Sequence, residues 1–264
     1  MNKKYALAEV NLKKIKNRIE GADRILLFLD YDGTLAPFKA DPLSASALPE
    51  IETNLRKLEN TTKYILSLIS GRKLAELKKM INLKWGHYAG SHGLEIDLNF
   101  LEGIIYPYQD KEIDVLSRNN FQKIKEKYRH LADVQLEDKG FGLALHFNSK
   151  KQQERAEKEL KVIFENTFYQ VLSGRKVIEI RPEGWDKGKA VDYISDQIRE
   201  KLDIDSYLRI YIGDDSTDED AFKVLTDGIT IYVQNEDSLN TAAEYFLKNP
   251  EDTAELLAEI AGEI

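Results

Sequence analysis

Two acidic clusters each follow directly behind a short apolar run. Residues Ile25–Leu29 lead into Asp30, Tyr31, Asp32, Gly33 and Thr34, and residues 208–212 lead into GDDSTDED at 213–220. Two carboxylates spaced by one residue beside a tight Gly turn can divide the labour of phosphoryl transfer. One attacks phosphorus and the other handles the leaving-group proton. Asp-Gly-Thr is also ordinary turn chemistry, and Asp-x-Asp alone can cap a loop; the apolar run in front and DGT behind favour catalysis. In GDDSTDED the crowded acids repel one another, and a divalent cation is the economical way to hold them. The dipole of a following helix accounts for some of these acids. It does not explain why a second acidic cluster follows a second apolar run. An all-oxygen ligand set fits Mg²⁺, whereas four His and no Cys leave a zinc site poorly served.

Two further pieces gain weight from this company. Ser70, Gly71 and Arg72 follow the apolar run Tyr64–Ile69, where a hydroxyl and helix-start N–H groups could receive phosphate oxygens. Lys187, in EGWDKGKAV, begins a helical stretch and is suited to neutralise Asp30 or a phosphate. Taken singly, Ser-Gly is a common turn and a lone lysine is usually solvated.

The elements that must position these residues are readable from periodicity. Three apolar runs of strand length, each ending in a polar or Gly-containing turn, read as strands buried on both faces. Between them lie helical stripes: Leu48, Ile51, Leu55 and Leu58; Ala190, Val191, Ile194 and Ile198; and, less regularly, Leu7, Val10, Ile15 and Ile19. Alternating helices and buried strands predict an α/β fold with a parallel sheet and right-handed crossovers. Ligands of such sheets bind beyond the carboxyl ends of the strands. The middle of the chain differs. A stripe at Phe121, Ile124, Tyr128 and Leu131 precedes VQLEDKGFGLALHF, two strands around Asp138, Lys139 and Gly140. A helix near residues 151–165 then precedes FYQVLSGRKVIEI, two strands around Ser173, Gly174 and Arg175. The doubled helix, strand, strand order predicts an inserted α+β unit with an antiparallel sheet over 107–182, in a core made of 1–106 and 183–264.

Composition sets the outer bounds. A net charge of −8 in 264 residues and a pI near 5.3 argue against nucleic acid or anionic membrane as partner, since both are held by clustered cations. Phosphorylated small molecules remain admissible, because one lysine or a metal reverses the sign locally. At 42% hydrophobic and 32% charged the chain is globular, and this length buries about three-quarters of its unfolded surface. The absence of cysteine excludes disulfides, thiolate zinc sites and cysteine nucleophiles. The N-terminal residues are broken by charge every few positions and lack the apolar stretch of a signal peptide, so the expected compartment is the cytoplasm.

The pieces DYDGT, SGR, the lysine of KG and GDDSTD, in that order, resemble the haloacid dehalogenase superfamily of phosphatases, whose Rossmann-like core often carries an inserted α+β cap. Within it the chain is similar to trehalose-6-phosphate phosphatases, through DYDGTLAPF, ISGR, AGSHGLEI, EDKGFGLALHF, VIEIRP, GDDSTDEDAF and YFLKNPEDTAELL. The resemblance implies Asp30 as nucleophile, Asp32 as acid and then base, and Ser70 with Lys187 as phosphate holders. It implies Mg²⁺ held by Asp30, the carbonyl of Asp32 and Asp214, with Asp218 farther out. Sugar contacts would come from Glu137, Lys139 and Glu179 with Arg175 or Lys176, and on the core side from Arg72 and His92. Relatives usually carry arginine where Asn148 stands, which bears on sugar preference. The expected substrate is trehalose 6-phosphate. Another sugar phosphate, a glycosyl-phosphoglycerate or a phosphomutase reaction are the alternatives. A monomer is expected, with any trehalose-6-phosphate synthase a separate protein.

Overall fold

The structure is a computed structural model that describes residues 3–39, 44–107, 115–174, 176–235 and 240–262. Contacts divide the chain into two compact units, Met1–Pro107 with Asp186–Ile264, and Tyr108–Trp185.

In the first unit the apolar runs form the middle of a sheet. Strand β1 is Lys4–Tyr5, β2 Ile25–Leu29, β3 Tyr64–Ile69, β4 His87–Gly90 and β5 Glu95–Asp97; after the insertion come β10 Leu208–Gly213, β11 Ile229–Val233 and β12 Tyr245–Leu247. Their order is β1-β12-β11-β10-β2-β3-β4-β5, parallel throughout except for the antiparallel β4–β5 pair. All of β2 and β11 is buried, which is what unbroken ILLFL and ITIYV predict for strands covered on both faces. From β2 the chain builds outward first through β3 and β4, then on the other side through β10, β11 and β12. The reversal at β2 opens a crevice beyond the carboxyl ends of β2 and β10, where both acidic clusters begin.

Helices carry the sheet connections: α1 Glu9–Glu20, α2 Pro49–Glu59, α3 Leu74–Met80, α6 Lys187–Leu202, α7 Asp218–Val224 and α8 Pro250–Ala261. The α6 stripe is fully buried at Ala190, Val191, Ile194 and Ile198. Asp186 caps α6 by accepting from the Lys189 N–H at 2.8 Å, a contact worth about 1 kcal/mol. Asn249 caps α8 the same way through Asp252 N–H at 3.0 Å, with Pro250 at the first helical position. The N-terminal stripe is shorter than its periodicity suggests. Ile15 and Ile19 are buried, but Val10 is 66% exposed and Leu7 precedes the helix.

The second unit contains α4 Val115–Tyr128, β6 Val134–Asp138, β7 Leu143–Phe147, α5 Lys150–Phe164, β8 Tyr169–Gly174 and β9 Val177–Pro182. Its strands form an antiparallel sheet in the order β6-β7-β9-β8. Phe121, Ile124, Tyr128, Leu143, Leu145, Phe147, Ile178 and Ile180 share one core with Leu160 and Phe164 of α5. Leu131 lies beyond the end of α4 and is 45% exposed, so it does not extend the helical stripe.

Candidate active site

Asp30 leaves β2 with its N–H donating to the Ile212 carbonyl of β10 at 2.9 Å, which ties the two acidic loops at their origin. Its carboxylate is buried and accepts from Lys187 Nζ at 2.7 Å; the same ammonium donates to Asp218 Oδ1 at 2.7 Å. Lys187 is the first residue of α6, where the helix dipole disfavours a cation, so the two carboxylates must outweigh both the dipole and burial. They do: burial opposes the charge, yet Asp218 and Asp30 hold the ammonium well above the ordinary lysine range.

Asp218 is fully buried and saturated. Its Oδ1 accepts from Lys187 and from the Tyr211 hydroxyl at 2.6 Å, and its Oδ2 accepts from the N–H groups of Asp214 at 2.9 Å and Asp215 at 3.0 Å. It thus holds the GDD loop in shape rather than facing a ligand. Gly213 makes this possible, since a Cβ there would lie 2.3 Å from the Asp218 carboxyl carbon. Gly33, at φ +80°, answers a similar demand: a Cβ would lie 2.2 Å from Asp214 Oδ2. Burial pushes the carboxyls of Asp30 and Asp214 well above the usual range, with Lys187 pulling the other way.

One oxygen each of Asp30, Asp214 and Asp218 falls within 4.8 Å of the others. Three buried carboxylates lie together, Lys187 pairs with two of them, and the donors are all oxygen. This set fits a hard divalent cation and offers zinc no nitrogen or sulfur ligand. Since Asp218 is saturated, Asp30 and Asp214 are the ligands available.

Asp32, two residues on, is turned to different company. Arg72 grips it in a fork, Nε to Oδ2 at 2.6 Å and Nη2 to Oδ1 at 2.6 Å, with the guanidinium 5.5 Å from the Tyr31 ring centre. Two charge-assisted hydrogen bonds thus fix the orientation of the carboxylate. Ser70 is buried, and its Oγ accepts from the Arg72 N–H at 3.2 Å. The loop around Ser70 is braced by the AGSHG segment, through Ser91 N–H to the Arg72 carbonyl at 2.7 Å and His92 N–H to the Ser70 carbonyl at 2.9 Å. Ser91 and His92 both have positive φ, 50° and 58°. The His92 ring lies against Gly71, where a Cβ would come within 2.8 Å of it. Farther along, the first amide of α3, Leu74 N–H, donates to the Glu95 carboxylate at 3.0 Å.

Asn235 joins the site without a motif of its own. Its Nδ2 donates to the Gly33 carbonyl at 3.1 Å and to Asp214 Oδ2 at 3.2 Å, joining the two acidic loops. The available signal was its place just beyond β11, a further buried run ending at the same edge of the sheet. Tyr211 was hidden inside an apolar strand, and only its hydroxyl contact with Asp218 reveals it.

In the second unit, Glu137, Ala144 and Glu179 stand in one cross-strand row of β6, β7 and β9. Lys139 donates to Glu179 at 2.8 Å, and His146 Nε2 lies 3.4 Å from Glu137. Three of the predicted sugar contacts, Glu137, Lys139 and Glu179, therefore share a face. Lys176 is at the exposed tip of the β8–β9 hairpin with φ 60°, and Arg175 lies outside the described residues.

The fold is shared with a solved haloacid dehalogenase-like hydrolase from Bacteroides thetaiotaomicron, with a TM-score of 0.66 at 17% identity over 90% of this chain and 99% of that one. The profile of the trehalose-phosphatase family matches residues 28–251, so the chain belongs to that family. Among curated relatives, "Probable trehalose-phosphate phosphatase 4" of Oryza sativa subsp. japonica is 32% identical over 90% of this chain and 66% of its own length. "Trehalose 6-phosphate phosphatase RA3" of Zea mays is 33% identical over 90% of this chain and 70% of its own. The chain thus spans about two-thirds of the length of these relatives. The solved C-terminal domain of trehalose-6-phosphate phosphatase from C. albicans superposes with a TM-score of 0.85 at 23% identity, over 99% of both chains. No helix among the described residues is long and apolar enough to cross a membrane.

Proposed function

We propose that the protein is a Mg²⁺-dependent phosphatase that hydrolyses trehalose 6-phosphate to trehalose and phosphate through an aspartyl-phosphate on Asp30. The observation that carries the reading is Asp30 itself, buried on Lys187 beside Asp214 at the reversal point of the sheet, in a chain of the trehalose-phosphatase family. Asp30 and Asp214, with the Asp32 carbonyl, would hold the cation, which when bound offsets carboxylate charge so that a phosphate dianion can approach.

The chain's own residues then divide the work. Asp30 attacks phosphorus and the sugar oxygen departs, taking a proton from Asp32. Asp32, now ionised, accepts a proton from the water that attacks the acyl phosphate, and phosphate leaves with Asp30 restored. The fork of Arg72 orients Asp32 beside Asp30. Protonation of the departing sugar requires Asp32 to leave the guanidinium, so substrate binding and release of this pair belong together. Lys187 keeps its charge throughout and stabilises the phosphoryl group beside Asp30.

A panel of sugar phosphates assayed for phosphate release with and without Mg²⁺ tests the reading. Trehalose 6-phosphate should be preferred by at least about tenfold, and Asp30→Asn should lower the rate by about 10³-fold or more. Comparable rates on several sugars would remove the substrate assignment, and an active Asp30→Asn would remove the mechanism. Solvent oxygen in the released phosphate separates hydrolysis from a mutase reaction.

A further inference from the structure

The segment that leaves β11 reaches both acidic loops through one side chain. Asn235 Nδ2 donates to the Gly33 carbonyl at 3.1 Å and to Asp214 Oδ2 at 3.2 Å. Gly33 directly follows Asp32, whose carbonyl is one of the cation ligands proposed above, and Asp214 is another. A single amide therefore ties together two of the three proposed ligand positions from a third strand end.

The chemistry of the bridge suits its place. Asp30, Asp214 and Asp218 already bring three buried carboxylates together, and Lys187 is paired with Asp30 and Asp218. A further carboxylate here would repel Asp214, and a lysine would compete with a cation for it. An amide nitrogen supplies two donors and no charge. The backbone of Asn235 has φ 50°, a left-handed conformation that asparagine adopts more readily than other non-glycine residues.

The side chain also starts from a fixed point. Gln234 N–H donates to the Leu247 carbonyl of β12 at 2.8 Å. Farther along the same connection, Ala242 N–H donates to Glu219 Oε2 of α7 at 2.7 Å, and Lys3 Nζ donates to the Ala243 carbonyl at 2.7 Å. GDDSTDED thus holds this connection at two places, through Asp214 and through Glu219. On the opposite side the loops are already in close approach, since a Cβ on Gly33 would lie 2.2 Å from Asp214 Oδ2.

We propose that Asn235 is a positioning residue that fixes the spacing between the Asp32 carbonyl and Asp214, and so biases the site toward Mg²⁺ over Ca²⁺. Mg²⁺ demands near-octahedral oxygens at about 2.0–2.1 Å, whereas Ca²⁺ accepts irregular sets at about 2.3–2.6 Å. Ligands held at one spacing favour the small, exacting ion, and loops free to part favour the larger one. Partners that orient metal ligands contribute about 10- to 100-fold in affinity. The proposal rests on the cation site described under the proposed function and adds a residue that acts through two of its ligands.

Calorimetric titration of the full chain with Mg²⁺ and, separately, with Ca²⁺, both without substrate, tests it. Asn235→Gly keeps the left-handed backbone and removes the amide. It should raise the Kd for Mg²⁺ about tenfold and the Kd for Ca²⁺ less than about threefold. Asn235→Ala also lacks the amide but adds backbone strain, so it should shift the ratio of the two constants equally while lowering Tm. A Mg²⁺ Kd for Asn235→Gly within about twofold of the parent overturns the role. Equal weakening of both ions overturns it too, because a merely looser fold would weaken both alike. A parent chain that binds neither ion removes the cation site and this role together, whereas a parent that binds and variants that bind equally well remove this role alone.

Discussion

The two units build ion pairs on opposite terms. In the core, Lys187 is 2% exposed between Asp30 and Asp218 at 6% and 0%. On the sheet face of the inserted unit, the Lys139 and Glu179 side chains are 12% and 16% exposed, and Glu137 and His146 28% and 37%. A fully buried charge exists only where several elements converge to pair it, so its position is over-determined. A charge on a half-open sheet face is placed by alternation alone, and many residues would fit there equally well. The first arrangement fixes its charges from several sides, and the second leaves them room to adjust.

The largest test of that contrast is Lys187→Ala. Removing the ammonium leaves two buried carboxylates facing each other, and should cost about 3–5 kcal/mol of stability. Trp85 and Trp185 fall one in each unit, so urea unfolding followed through Trp85, with Trp185→Phe, reads the core. Added Mg²⁺, the cation proposed for Asp30 and Asp214, should restore part of the loss by offsetting the charge of Asp30. A loss under about 1 kcal/mol, the size of an exposed pair, would erase the distinction drawn between the units.

Acid provides the next probe. His87 is buried at the start of β4, accepts from the Asn99 N–H at 3.2 Å through Nδ1, and meets Phe100 edge-on at 5.3 Å. Burial pushes its pKa down to about 4, against the pull of Asp97. The unfolded chain takes up this proton near pH 6.5, before the folded chain does. Stability is therefore lost as pH falls from about 6.5 to about 4, by about 3 kcal/mol in all. His87→Gln should flatten that part of the stability curve in the Trp85 signal; an unchanged slope would place the acid sensitivity elsewhere.

Within the active site, Arg72→Gln separates the two carboxylates of the first cluster. Because Arg72 acts through Asp32, its loss should matter most where the leaving group needs a proton. We expect kcat/KM on an alkyl sugar phosphate to fall about a hundredfold and on 4-nitrophenyl phosphate less than tenfold. Equal losses on both would mean that Arg72 serves the phosphate and not Asp32.

The same contrast explains what could be read in the sequence. Asp30, Asp214 and Lys187 were legible because chemistry at a sheet reversal needs carboxylates directly behind buried strands and a cation at a helix start, and these leave fixed spacings. Glu95, Tyr211 and Asn235 were not, because each works through a contact across the fold: a carboxylate on an α3 amide, a hydroxyl on Asp218, an amide bridging two loops. Periodicity overreached at Val10 and Leu131, where an apolar residue in helical phase lies on the exposed side or past the helix end.

The smallest effect tests the inserted unit on its own terms. A double-mutant cycle of Lys139→Met and Glu179→Gln, followed through Trp185 with Trp85→Phe, should give a coupling of about 1 kcal/mol. The value follows from partial solvation: water screens a pair that retains some exposure, and each side chain loses entropy on being held. It should also shrink in 1 M NaCl, where the screening length drops to about 3 Å, while the Lys187 effect should change little, because no solvent reaches that pair. A coupling as large as the Lys187 loss, or one insensitive to salt, would show that the sheet face is as closed as the core and that its charges are placed for stability rather than for a ligand.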